Sequence, residues 1–208
     1  MPLLPLARTP RESHLYIALH PCACGEASTG ENMRSFLWDF PDGWARKNEF
    51  TCPGCGTVRT FVFELPDWPH VEPDAFGADE PSQLIDAGEW LRLAHRWASS
   101  VPFEPSPDPK HEKVLKLAIS GMDEVLKFFP PDAREDDELP DEAFWTERGR
   151  AYRAEQPFGG LRRYRLEAYR SGLVGLAHTP TQTPTPTPTP TRAYRKLKNL
   201  WKKGPGRA

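Results

Sequence analysis

Four cysteines, the only ones in the chain, stand in two close pairs near its beginning. One pair lies in His20-Pro21-Cys22-Ala23-Cys24-Gly25 and the other in Thr51-Cys52-Pro53-Gly54-Cys55-Gly56. Twenty-seven residues separate Cys24 from Cys52, which is enough for strands and a loop that bring the two turns together. If the four sulfur atoms meet at one site, this part of the chain must fold so that the two pairs come together.

Two close pairs of cysteines are typical of a tetrahedral metal site. Zn²⁺ takes four soft ligands, and two tight turns can each supply two thiolates. In the second pair Pro53 fixes one backbone angle, and the glycines allow the tight bend. The first pair is one residue shorter than Cys-x-x-Cys, so His20 is an alternative ligand, and disulfides or a redox pair are alternatives to a metal. We predict structural zinc on Cys22, Cys24, Cys52 and Cys55.

Residues 22–25 and 52–56, here called the first and second knuckles, resemble the Cys-x-x-Cys-Gly knuckles of zinc ribbons. The resemblance is confined to residues 15–65 or so, and only the second knuckle matches the pattern fully. It implies a small antiparallel sheet clamped by zinc. Four protein sulfurs close the coordination shell, whereas catalytic zinc keeps a position open for water. The expected role of the metal is therefore structural.

Alternating apolar residues predict the strands of this module. We expect a loose lead-in over residues 1–13 and strands over 15–20, 34–40 and 57–65, with a turn signal at Pro41-Asp42-Gly43. A sheet this small buries little surface, so metal binding would supply part of its folding energy.

Helical patterns dominate the rest of the chain. Asp86, with Glu89 three residues later, resembles a capping box before a helix over 87–99. Further helices are predicted over 110–129, 140–155 and 161–176. The predicted fold class is α+β: a zinc-ribbon-like β module (1–65), a proline-rich linker (66–81) and a helical domain of about four helices (82–178), followed by a disordered tail.

The C-terminal segment has two parts of very different composition. Residues 179–191 are mostly alternating Thr-Pro, which favours a semi-rigid polyproline-like spacer. Residues 192–208, here called the tail, hold seven basic residues and no acidic one. The rest of the chain, with 20 basic and 29 acidic residues, carries −9. A short amphipathic helix in the tail would be disordered until bound to an acidic protein groove, nucleic acid or an anionic membrane surface; the alternative is a dispensable tail.

Composition also bears on location. No stretch of about 18 apolar residues is present, so no transmembrane helix is expected. The apolar start is short and broken by proline, unlike a signal peptide. Thiols confined to two knuckles fit a reducing compartment. We therefore expect a cytoplasmic protein.

Function is indicated only by surfaces and charge. The sequence has no Gly-rich phosphate loop, Gly-x-Ser-x-Gly turn or His-Glu-x-x-His motif, which favours a non-enzyme over an enzyme with an unrecognised site. The leading hypothesis is a protein-binding adaptor or immunity-type inhibitor whose acidic body suits a basic partner. In a regulatory variant, the tail folds back on the acidic loop at residues 132–142.

The alternative hypothesis is a nucleic-acid-binding accessory factor. It would use the zinc ribbon, the tail, and arginines interleaved with tyrosines in the last two predicted helices. Those arginines are Arg148, Arg150, Arg153, Arg162, Arg163, Arg165 and Arg170. The competing interpretation is a solvated helix face, with Glu147, Glu155 and Glu167 as pairing partners.

Overall fold

The computed structural model describes residues 4–27, 32–40, 43–66, 75–102 and 108–178. Within these ranges the fold is α+β, as predicted. The elements in order are α1 (Pro10–Leu19), β1 (Arg34–Phe40), β2 (Gly43–Thr51), β3 (Val58–Glu64), α2 (Ala87–Ser99), α3 (Pro109–Leu126), a short 3₁₀ helix (Asp141–Ala143), α4 (Glu147–Ala154) and α5 (Arg163–His178). The spacer and the tail lie outside the described residues.

The three strands form one antiparallel sheet in the order β1-β2-β3. Its register pairs Trp38 with Ala45, and Ala45 with Glu64. The N-terminal chain runs beside the end of β3, where the Ala7 amide donates to the Glu64 carbonyl at 3.0 Å. β1 and β3 lie where the alternation predicts them. β2 was not predicted, because its stretch Lys47-Asn48-Glu49 is polar and hides the strand pattern.

The predictions of a loose lead-in and of a strand at 15–20 were wrong for the described residues. Four residues of the predicted lead-in are buried: Arg8, Thr9, Glu12 and Ser13. The residues predicted as a strand, except the last, belong to α1. The Thr9 hydroxyl accepts the Glu12 amide at 3.0 Å, and Pro10 occupies the first turn. Thr9-Pro10-Arg11-Glu12 is thus an N-terminal helix signal that outweighs the short apolar alternation after it.

The helical predictions are confirmed for α2, and for α3 and α5 with ends shifted by a few residues. The prediction of one helix over 140–155 was wrong, since the 3₁₀ helix and α4 are separated by an extended step. Thr146 begins α4 by accepting the Gly149 amide at 2.8 Å. The buried core runs from the sheet (Phe50, Phe63) through Trp90 of α2 to Met122 of α3.

One buried carboxylate caps α2 and holds the residue that caps α4. Asp86 Oδ1 accepts the Glu89 amide at 2.8 Å, as the predicted capping box requires. Asp86 Oδ2 accepts both the amide and the hydroxyl of Thr146 at 2.7 Å. A Cβ at Gly149 would stand 2.2 Å from Asp86 Oδ1, so the first turns of α2 and α4 meet at a position that only glycine fits.

A buried group of charges, here called the ion cluster, joins the beginning of the chain to α3. It consists of Arg8, Glu12, Glu124 and Lys127. Arg8 Nη2 lies 2.6 Å from a carboxylate oxygen of Glu12 and 2.6 Å from one of Glu124. Lys127 Nζ lies 2.6 Å from the other Glu124 oxygen. Burial alone would lower the pKa of Arg8, but the two carboxylates outweigh it and the pKa is raised.

In the ranges described above, no helix is both long and apolar enough to cross a lipid bilayer.

Candidate metal centre

The first knuckle follows α1 directly. The Cys22 amide donates to the Glu26 carbonyl at 2.9 Å, and the Gly25 amide donates to the Cys22 carbonyl at 2.8 Å. Gly25 has φ +87°, a conformation that side chains other than glycine rarely adopt. Tyr16 of α1 packs edge-on against Phe63 of the sheet with ring centroids 5.6 Å apart. This contact holds the end of α1 against the sheet and thereby positions the first knuckle, which follows it.

The second knuckle is the turn between β2 and β3. The Cys52 amide donates to the Thr57 carbonyl at 2.9 Å, and the Gly56 amide donates to the Cys52 carbonyl at 2.9 Å. Gly56 has φ +74°. The strands on either side, paired from Thr51 and Val58 onward, hold this turn at the end of the sheet.

The two knuckles close by the same pair of hydrogen bonds. In each, the first cysteine donates to the residue after the glycine, and the glycine donates back to the first cysteine. The first knuckle makes these bonds with one residue fewer between its cysteines. The short Cys22–Cys24 spacing therefore does not prevent a second sulfur from pointing the same way as in the longer knuckle.

The four sulfur atoms lie close together. The Sγ atoms of Cys22 and Cys55 are 3.6 Å apart, as are those of Cys24 and Cys52, and all four lie within 4.8 Å of one another. A tetrahedron with Zn–S bonds of about 2.3 Å has edges of about 3.8 Å. A disulfide requires about 2.05 Å, and all four thiols are free. The geometry fits one metal ion held by both knuckles.

In each knuckle one cysteine is buried and the other is exposed. Cys22 and Cys52, the first cysteine of each knuckle, are buried, whereas Cys24 and Cys55 are exposed. A bound ion would thus have an inner side covered by protein and an outer side near solvent. Of the His, Cys, Asp and Glu residues described, these four are the only group of three or more positioned to hold a metal ion.

The pKa values of the two exposed thiols are shifted in opposite directions. Hydrogen bonds from Thr57, whose Oγ1 lies 3.2 Å from Cys55 Sγ, lower the pKa of Cys55 to about 6. The backbone hydrogen bond at Glu26 lowers the pKa of Cys24, but the three neighbouring cysteines outweigh it and raise the pKa to about 12. Four thiolates this close repel one another. A divalent cation would remove that repulsion and favour the loss of all four protons.

His20 lies outside the group of four thiols. Its Nδ1 is 2.7 Å from the Tyr16 carbonyl oxygen, and its ring lies 4.1 Å from the Tyr16 ring. Arg59 of β3 donates to the His20 carbonyl at 2.6 Å. These contacts fix the backbone that enters the first knuckle, and the role of His20 as an alternative ligand stays a prediction.

The sequence predicted the four cysteines but not the residues that position them. Glu26 and Thr57 each follow a Cys-Gly pair, and each closes its knuckle through the backbone carbonyl. That position after Cys-Gly is the signal that could have identified them. Arg59 carries no local signal, because its contact with residue 20 depends on the fold.

The arginines of the last two helices are mostly paired with carboxylates. Five of the seven form ion pairs: Arg148 with Glu89, Arg153 with Asp141, Arg162 with Glu138, Arg163 with Glu167 and Arg170 with Asp123. The solvated-face interpretation predicted Glu147, Glu155 and Glu167 as partners of these arginines. Of the three, Glu167 forms an ion pair, with Arg163. These contacts leave less positive charge on α4 and α5 than the sequence alone indicates.

Comparisons of the chain with protein-family models, with curated proteins and with solved structures gave no significant match.

Proposed function

We propose that the chain is a zinc-binding protein whose metal has a structural role. The observation that carries the proposal is the pair of 3.6 Å Sγ–Sγ distances, which match the edges of a tetrahedral ZnS₄ site. Four cysteine thiolates leave no position for a substrate or an activated water. The metal would join the end of α1 to the β2–β3 turn and would not take part in chemistry.

The zinc proposal has a direct test in metal content. We expect wild-type protein to carry one zinc per chain, and Cys52→Ser protein to carry less than a tenth of that. Ala23→Ser is the matched control, because Ala23 lies between two of the cysteines without being a ligand, and it should keep the metal. Cobalt substitution should produce the absorption bands of tetrahedral thiolate coordination. Zinc-free wild-type protein from zinc-supplemented cells, or full zinc content in Cys52→Ser, would contradict the proposal.

We further propose that the protein is a non-enzymatic adaptor or inhibitor that binds a basic protein partner. The outer strand of the sheet supports this, since Phe36, Leu37 and Trp38 of β1 are about half exposed or more, as is Trp44 of β2. Phe36 and Trp38 are two residues apart in β1 and therefore lie on the same face of the sheet. Exposed aromatic neighbours of this kind are typical of interaction surfaces. The charge of −9 outside the tail favours a basic partner, since complementary charge speeds association and selects partners.

The binding proposal is tested by affinity capture from the source cells, with and without nuclease. We expect wild-type protein to retain a basic protein, and Phe36→Ser/Trp38→Ser protein to lose it. Phe158→Ser is the control, because Phe158 is 91% exposed and belongs to the turn between α4 and α5. Capture of nucleic acid alone, lost on nuclease treatment, would favour the nucleic-acid-binding alternative instead.

A further inference from the structure

A surface groove runs past the end of α3. It consists of two adjoining depressions of about 630 and 540 Å³ that share Glu80, Pro81 and Phe128. Its apolar floor is formed by aromatic and proline side chains: Phe128, Phe129, Trp145, Pro81, Pro130, Pro131 and Pro140. The rings of Phe128 and Trp145 lie 5.9 Å apart, and Trp145 is 41% exposed. Aromatic-lined grooves of this kind accept extended proline-rich segments.

The edges of the groove carry unpaired negative charge. Asp79, Glu80 and Glu142 line it and are exposed, and none of their carboxylates forms an ion pair with a described residue. Among the described residues that line the groove, Lys127 is the one cation, and it already holds Glu124 at 2.6 Å. The acidic loop at residues 132–142 adjoins the groove through Pro131 and Pro140. The groove therefore fits a segment that combines prolines with positive charge.

The chain itself contains such a segment. Residues 179–191 hold five prolines in near-perfect alternation with threonine, and residues 192–203 add six basic side chains with Tyr194, Leu197 and Trp201 among them. We propose that residues 179–203 bind in this groove of the same chain. The prolines lie against Phe128 and Trp145, and the basic residues lie along Asp79, Glu80 and Glu142.

The chain is long enough for this return. α5 runs antiparallel to α3, since Arg163 donates to the Ala133 carbonyl while Arg170 pairs with Asp123. At 1.5 Å per residue, His178 lies about 12 Å beyond Asp123 in one direction, and Phe128 lies about 8 Å beyond it in the other. A polyproline-like segment of 13 residues spans about 40 Å. The spacer can therefore cover the distance of about 20 Å with length to spare for the turn.

Tethering makes weak binding sufficient. A short linker gives an attached segment an effective concentration on the order of 1 mM. A groove that bound the free peptide with a Kd of about 0.1 mM would then be filled about ten times as often as empty. Occupancy would fall with salt, since charge contributes to the contact. This proposal does not depend on the zinc site, because no groove residue is a cysteine.

The test uses the full chain and follows trypsin cleavage after the basic residues of the tail by intact-mass spectrometry. In wild-type protein we expect cleavage at Arg192, Arg195 and Lys196 to be about tenfold slower than in a synthetic peptide of residues 179–208. Glu80→Gln/Glu142→Gln and Trp145→Ala should each raise the rate to within about twofold of the peptide. Glu155→Gln and Trp38→Ala are the matched controls, since both residues are exposed away from the groove, and they should stay protected.

The double glutamine variant alters only exposed carboxylates, so it keeps the test valid if Trp145→Ala fails to fold. Wild-type cleavage at the rate of the free peptide would overturn the proposal. Equal acceleration by groove and control variants would overturn it as well. Protection that increases with protein concentration would place the tail of a second copy in the groove and would overturn the intramolecular form. Zinc content should be the same in every variant, which separates this test from that of the metal site.

Discussion

The thiol cluster and the ion cluster both join segments that are distant in sequence, but they differ in what completes them. The ion cluster brings together residues 8 and 124 with two positive and two negative side chains, so its charge is balanced by the protein itself. The thiol cluster brings together residues 22 and 55 with four groups of one kind, which repel when ionised. With the proposed metal site, the sheet end of the molecule would therefore depend on a cation from solution, whereas the ion cluster would not.

Removal of the metal should have the largest effect and should fall mainly on the sheet. Structural zinc contributes apparent free energies of about 10 kcal/mol or more in small modules. We expect a chelator to raise amide hydrogen exchange in β2 and β3 at least tenfold more than in α3. Ala23→Ser protein should respond as wild type does. If exchange in the strands and in the helices were equal both before and after chelation, the two ends would not differ in their dependence on the metal.

Loss of one partner in the ion cluster should have the next largest effect, and zinc should not restore it. Arg8→Ala leaves two buried carboxylates with one cation, which typically costs about 3–5 kcal/mol in the free energy of unfolding. Urea unfolding with saturating zinc measures it. Glu112→Ala is the control within α3, because Glu112 and Lys116 form an exposed pair that contributes little. Similar stabilities for the two variants would mean that the ion cluster is not a major tie between the segments.

A smaller effect of pH should arise in the helical part. Burial lowers the pKa of His95, whose Nδ1 lies 2.8 Å from the Tyr152 hydroxyl. Below the unfolded value of about 6.5 the unfolded chain binds a proton that the folded chain resists, so stability falls as the pH falls. We expect His95→Gln to lose less than wild type between pH 7 and 5, by less than about 1 kcal/mol. Urea unfolding at both pH values, with metal-free samples compared separately, measures the difference; identical slopes would contradict it.

The parts that could be predicted from the sequence are those with a local signal. The cysteine pairs, strands β1 and β3, and α2 with its Asp86 cap are specified by residues only a few positions apart. α1 had such a signal in Thr9-Pro10-Arg11-Glu12, but the alternation of apolar residues after it led to a strand prediction. Ile17 is buried, while Leu15 and Leu19 are only partly buried against the core, so the three alternating residues do not form one fully buried face.

The parts that could not be predicted depend on contacts between distant residues. Nothing near Arg8 indicates that its partner is Glu124, and nothing near Phe128 indicates that Trp145 completes a groove. The closing carbonyls of the knuckles were missed for another reason: a backbone carbonyl is the same in every residue, so the only local signal for Glu26 and Thr57 is their position after Cys-Gly.

The carboxylate of Asp86 has a consequence for how the molecule folds. It caps the first turn of α2 locally and holds Thr146, the residue that caps α4, across 60 residues of chain. A contact between residues so far apart forms only after a large loop has closed, which is a slow step in folding. The Thr146 half of the cap therefore forms late, and its loss should mainly speed unfolding, with little change in the folding rate. Because Asp86 holds both helices, loss of its contact with Thr146, the cap of α4, is expected to precede the unfolding of α2.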